Sequence, residues 1–368
     1  VSVKEYLGQE VVPNSGCGSW LWEPQSTNLV TQSELFSDAS WTKIATTVSS
    51  NSTTSPSGGI NASTIVSTNA TSEQYLDVGS LSVTSGDSYN LSCFVKKKDY
   101  DYFLIRFTGA GGAFVGSNAF FNINNGTLGT VDSGLVGSIT DYGNGWYRCS
   151  ATIVASATTI SGKVRLQLAS SDNSEAIVGD GTSGTFLWGA QFEALSYASS
   201  LIPTSGSTVT RNQDLCNNGG SLASINSTSG VLYAEIAALS NENQTNRYIT
   251  ISNGSTSNRM ILRYTNTGVS IYIIANGTGA LSSGFNFADR TQTIKAALRW
   301  ANNDVALFVD GIKRFQGNSF TTYSPNTLNR LNMASVNGGS FPFFGKTKAL
   351  AVWPEALSDS ELQSLTTI

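Results

Sequence analysis

The sequence predicts an all-β protein, two consecutive antiparallel jelly-roll β-sandwiches with one short C-terminal helix. Three observations carry this. Short segments alternate apolar and polar residues with a period of two, the mark of half-buried strands. Turn signals separate them, among them Asn124-Asn125-Gly126, Asn144-Gly145, Gly179-Asp180-Gly181 and Ser85-Gly86-Asp87. Charged residues are only 12% of the 368, about half the usual quarter. Yet 17 Phe, 13 Tyr and 7 Trp give ample surface for burial, which excludes disorder.

The elements follow in order. Over 102–107, Phe103, Ile105 and Phe107 alternate with Tyr102, Leu104 and Arg106. Over 146–153 the apolar set is Tyr147, Cys149, Ala151 and Ile153, which leaves Trp146 and Arg148 on the other face. Over 163–168, Val164, Leu166 and Leu168 point inward, with Arg165 and Gln167 outward. Phe186, Trp188, Ala190 and Phe192 read in register as core. A polar Gly/Ser/Thr stretch entered through Pro203 marks a boundary, after which the period resumes over 230–239, 247–252, 260–264 and 269–274. Segments 293–300 and 305–309 are joined by a hairpin signal at Asn302-Asn303. Their expected core face holds Ile294, Ala296, Leu298, Trp300, Val305, Leu307 and Val309, placing Lys295, Arg299 and Phe308 outside. Ser358-Asp359-Ser360-Glu361 is a capping box, and Leu362 and Leu365 form the stripe of the predicted helix. The expected division is an attachment stub at 1–19, a jelly roll at 20–200, a linker at 201–215 and a second sandwich at 216–368.

Composition also narrows the chemistry. The chain has no His, which removes Ser-His-Asp and Cys-His nucleophile systems and His-ligated zinc. A net charge of −4 without a long basic run argues against nucleic acid, and no apolar run approaches the ~20 residues of a membrane helix. Cys17, Cys93, Cys149 and Cys216 lack metal-site spacing. Cys93 and Cys149 fall on apolar faces and read either as buried free thiols or as a bridge. A strand-borne Glu-x-Asp-x-x-Glu glycanase pattern does not occur. The chain is expected to be a non-enzyme requiring no cofactor, with a Tyr/Arg/Lys-only lyase as the remaining catalytic alternative.

Several phrases are more specific. Trp22-Glu-Pro-Gln-Ser-Thr-Asn-Leu-Val30, Phe36-Ser-Asp-Ala-Ser-Trp-Thr-Lys43, Gly143-Asn-Gly-Trp-Tyr-Arg-Cys149, Gly179-Asp-Gly-Thr-Ser-Gly184, Leu187-Trp-Gly-Ala-Gln-Phe-Glu193 and Ile202-Pro-Thr-Ser-Gly-Ser-Thr-Val-Thr-Arg211 occur in that order. Together they resemble a jelly-roll module common in tailed-phage and prophage structural proteins, itself similar to carbohydrate-binding jelly rolls. The stretch Leu298-Arg-Trp-Ala-Asn-Asn-Asp-Val-Ala-Leu-Phe-Val-Asp-Gly311 and Ala349-Leu-Ala-Val-Trp353 resemble a concanavalin A-like, laminin-G-type lectin sandwich. The resemblance implies a virion surface protein of tail-fibre or spike type that contacts host polysaccharide alongside other virion proteins, as a homo-oligomer, by analogy a trimer. Such jelly-roll modules often hold a structural calcium ion near their joined termini, for which Glu34 and Glu193 are the candidates; the alternative is that both are plain surface residues. The alternatives are a purely structural fibre or decoration protein, a secreted bacterial adhesin or carbohydrate-binding module, and a polysaccharide depolymerase.

Sugar binding asks for an aromatic face against the apolar side of a pyranose, with planar donors for its hydroxyls. In the first domain the expected outward set is Tyr102, Arg106, Trp146, Arg148, Arg165 and Gln167. In the second it is Arg263, Tyr272, Arg299 and Phe308. The competing reading covers these faces with a neighbouring domain or protomer.

Overall fold

The computed structural model describes residues 18–241, 247–336 and 340–368. Strands dominate them, with a single-turn 3₁₀ segment at Ala110–Gly112 and a helix at Asp359–Thr366. The chain forms two compact units, one of which is interrupted in sequence by the other. Gln25–Asn212 makes one unit, while Gln213–Ile368 joins the residues up to Pro24 in the other.

The Gln25–Asn212 unit is built from two six-stranded antiparallel sheets. One runs, edge to edge, through Thr127–Val131, Ser117–Asn122, Tyr102–Gly109, Thr159–Ala169, Tyr75–Val83 and Thr42–Ile44. The other runs through Leu135–Asp141, Trp146–Val154, Ser88–Lys97, Gly184–Glu193, Ala62–Ser67 and Thr46–Thr53. The period-two sets meet between them: Phe103, Ile105, Phe107, Val164, Leu166 and Leu168 pack with Cys149, Ala151 and Ile153 in one core. Burying each large side chain stabilises by about 1.5–3 kcal/mol.

One expected face reverses. Leu187, Ala190 and Phe192 reach that core, but Phe186 and Trp188 pack on the opposite face with Phe94 and Trp146. The cause is a bulge between Trp188 and Gln191, where Gly189 takes φ 61. An extra residue in a strand flips the alternation beyond it.

In the other unit a six-stranded sheet runs through Trp20–Trp22, Gly345–Trp353, Gly230–Ala238, Ile294–Ala301, Asp304–Val309 and Ile312–Gly317. A five-stranded sheet runs through Thr278–Asn286, Gly268–Ala275, Arg259–Tyr264, Arg247–Ser252 and Arg330–Asn332. Ile294, Ala296, Leu298, Trp300, Val305, Leu307 and Val309 line the core between them, as their alternation predicts. The helix carries the full capping box, with the Ser358 hydroxyl accepting from the Glu361 N–H.

Two boundaries differ from the sequence division. Trp20–Trp22 is an edge strand paired with Gly345–Trp353, and Trp22 is buried in that unit's core. Residues 201–212 are no free linker, since Val209–Arg211 pairs with Ser26–Asn28 and the Ile202 carbonyl accepts from Asn28. The stub at 1–19 lies outside the described residues except for its last two, as does Cys17.

Candidate functional site

The outer face of the five-stranded sheet brings together two of the expected residues and two others. Arg263 sits directly across from Tyr248 on one side and Ser270 on the other. Its Nε donates to the Ser270 hydroxyl at 2.9 Å and its Nη1 to the Tyr248 hydroxyl at 3.2 Å. The guanidinium lies over two rings at once, 5.6 Å from the Tyr248 centroid and 5.5 Å from that of Tyr272. Phe341 completes the group: its ring stacks on Tyr248 at 4.8 Å with an interplanar angle of 25°, and its carbonyl accepts from the Tyr248 N–H.

Three properties characterise this group. Arg106, Arg165 and Arg299 all pair with carboxylates, whereas Arg263 has no carboxylate partner and no partner for Nη2 among the described residues. Phe341 is 37% exposed while Tyr248 beneath it is 6% exposed, so one ring is offered and the other supports it. Phe341 also holds φ 62, a left-handed backbone that costs a non-glycine residue about 1–2 kcal/mol. Strain at an exposed aromatic is retained where its surroundings fix it, and such positions cluster at ligand sites. Chemically, the group combines a flat apolar surface, a cation softened by two π-faces and free N–H donors. The alternation of Ile249 and Ile251 against Tyr248 and Thr250 could have pointed to Tyr248. Phe341 left no such signal, because it lies in an irregular segment whose backbone angle no pattern encodes.

The remaining expected residues lie elsewhere. Trp146 does stand on the face opposite Cys149, but that face is covered by the unit's own chain. Trp146 is 2% exposed against Ala62, Phe94 and Trp188, and its Nε1 donates to the Thr54 carbonyl. Arg148 is buried beside it, over the Phe94 ring, donating to the Ser92 hydroxyl and the Ser199 carbonyl. Gln167 is fully buried with Nε2 on the Glu175 carbonyl. In the other unit Phe308 is buried beneath Leu362 of the helix, and Arg299 is spent on Asp304, Asp359 and the Leu357 carbonyl. These five side chains are therefore unavailable to a glycan. For these five, alternation correctly reports which face each takes, but not that a loop or helix covers that face.

Tyr102, Arg106 and Arg165 keep partial exposure on the other sheet of the Gln25–Asn212 unit. Tyr102 leans on Leu104, Phe120 and Ala169. Arg106 joins Glu73 and Glu175, and Arg165 joins Glu73 while lying 4.0 Å over the Tyr75 ring.

The carboxylates expected to hold calcium do not converge. Glu34 accepts from the Asn61 side chain at 3.0 Å. Glu193 is fully buried, and its two oxygens already accept from Ser26, Gln191 and both the N–H and hydroxyl of Ser199. A hard cation needs about six to eight oxygen ligands, so this donor set does not fit one. Among the described residues no three His, Cys, Asp or Glu side chains cluster for a metal. Cys93 and Cys149 face each other in register as free, buried thiols, and desolvation pushes both well above their usual range.

No protein-family model matches the chain, and no curated protein matches it in sequence. Among solved structures, the CBM40 of Ruminococcus gnavus IT-sialidase bound to alpha2,6 sialyllactose is 17% identical, over 42% of this chain and 95% of that one, with a TM-score of 0.34. A heptameric SAP-like pentraxin from Limulus polyphemus is 12% identical, over 40% and 72%, at 0.32. Domains LG4-5 of the mouse laminin alpha1 chain are 13% identical, over 79% and 88%, at 0.28. Likenesses this remote assign no function.

Proposed function

We propose that the chain is a non-catalytic glycan-contacting protein that uses the Arg263, Tyr272 and Phe341 face as its sugar platform. The observation that carries this is the Arg263 guanidinium, without a carboxylate partner among the described residues, held between two tyrosines beside a strained, exposed Phe341. A pyranose laid on Phe341 would hide its C–H face while its hydroxyls met Arg263, the pairing of apolar wall and few convergent donors that ligand sites use. The sialyllactose held by the Ruminococcus module agrees with this reading without carrying it.

The finer placement, a tail-fibre or spike-type component on a phage virion surface that meets host polysaccharide, rests on the ordered phrases from Trp22 to Arg211 and on nothing in the geometry. A homotrimer fits it, because weak sites gain avidity by repetition. A glycan microarray probed with the whole chain tests the contact, and light scattering tests the trimer. Binding to glycans across the array, lost in Arg263→Gln, supports the platform. An array blank at every glycan removes it.

A further inference from the structure

We infer that the Gln25–Asn212 unit holds a second, separate sugar site: a two-lobed groove bent around Gly79 and Ser80 that takes a neutral polyhydroxyl chain. Two depressions of about 440 and 660 Å³ share Ser40, Gly79 and Ser80 in their walls. Each lies within the roughly 300–1,000 Å³ of ordinary ligand sites. The smaller lobe is amphipathic, with Leu29, Val78 and Leu81 beside the hydroxyls of Thr31 and Thr208. The larger is polar, with Asp77, Lys163 and Arg165 beside Thr108 and Ser161.

The groove is produced by irregular backbone. Pairing between Thr159–Ala169 and Tyr75–Val83 slips on both sides of Gly162, and a slip of this kind re-aims side chains. Ser80 holds φ 60 at the bend, a left-handed conformation unusual for a residue with a side chain. A Cβ on Gly79 would come within 3.3 Å of the Lys163 Cε, so the missing side chain gives the lysine stem its room. Lys163 then reaches the Asp77 carboxylate at 3.3 Å while staying about 40% exposed, and Asp77 is almost wholly buried.

This arrangement suits vicinal hydroxyls. Asp77 fixes the Lys163 ammonium, whose outward N–H groups donate to one hydroxyl while the Thr108 and Ser161 hydroxyls meet the next. Asp77, Glu73 and Glu175 balance Lys163, Arg165 and Arg106, so the lobe offers no surplus charge to an anion. Hydroxyls on one lobe and apolar side chains on the other match the two faces of a pyranose chain.

Nuclear magnetic resonance on the whole chain tests this with three neutral probes, cellohexaose, maltohexaose and mannohexaose, and one acidic probe, a hyaluronan hexamer. The expected result is that at least one neutral hexamer shifts the amides of Gly79, Ser80, Thr108 and Lys163. Lys163→Met should weaken that binding at least tenfold, and so should the lobe-filling Thr108→Trp, with amide signals elsewhere unchanged. Arg263→Gln should leave it intact, which separates this site from the Phe341 platform. No shift with any neutral hexamer, shifts indifferent to both variants, or tighter binding of the acidic hexamer would each overturn the inference.

Discussion

At the residue scale the informative positions are those where a side chain lacks its usual compensation. Among the described residues Arg263 is without a carboxylate, and Phe341 sits in a backbone that glycine would prefer. Phe341→Gly should therefore relieve strain while deleting a stacked ring worth about 0.5–1.5 kcal/mol. The net stability change is expected within about 1 kcal/mol of zero, whereas sugar affinity falls roughly 5–30-fold, the equivalent of about 1–2 kcal/mol. Calorimetric melting read beside a binding titration checks both halves. Trp146 behaves oppositely, because it is a satellite core residue. Trp146→Ala is expected to cost about 3–5 kcal/mol of stability, seen as a lower denaturation midpoint, and to leave the platform's affinity unchanged.

At the element scale, most strands were legible because alternation reports face directly: Phe103, Ile105 and Phe107 and the Ile294–Trp300 set are core as read. The candidate site was only half legible. Arg263 and Tyr272 stand on neighbouring strands, and their register depends on turn geometry that period alone leaves open. Arg299 and Phe308 were misread as exposed because the capping box predicted the helix without saying where it docks. That docking is itself testable. Asp359, in the first helical turn, accepts from Lys313 and Arg299, and the Lys313 bond above all holds its carboxyl below the ordinary 3.8. The Ser358 contacts hold Glu361 below 4.5. Groups depressed in the folded state stabilise it above their unfolded pKa and lose that contribution as pH falls through the folded value. From about pH 6 to about pH 3, hydrogen-exchange protection should fall at Leu362–Thr366 before it falls in the Ile294–Ala301 strand. Asp359→Asn should flatten the helix's response; equal loss in both elements would refute this docking account.

At the scale of the whole molecule, the sequence order hides an insertion. The chain leaves one unit after Pro24 and returns at Gln213, and beside these points the Glu23 N–H donates to the Asp214 carboxylate at 2.8 Å and the Asp214 N–H to the Glu23 carbonyl at 2.9 Å. Ends held this close are where a unit can be removed without opening the other. Joining Glu23 to Asp214 through a short Gly-Ser linker should leave a cooperatively melting β-protein that keeps the Arg263 platform. A chain shortened to begin at Pro24 should instead be strongly destabilised, since it loses the Trp20–Trp22 strand and a buried Trp. Circular dichroism melts of the two products distinguish these outcomes.

The most direct test of the central claim is a matched titration. The parent chain, Arg263→Gln and Phe341→Gly would each be titrated with the same array-identified glycan at equal melting temperature. Both variants are expected to lose at least about fivefold in affinity while remaining as folded as the parent. Affinity unchanged in both, with the fold intact, would contradict that claim.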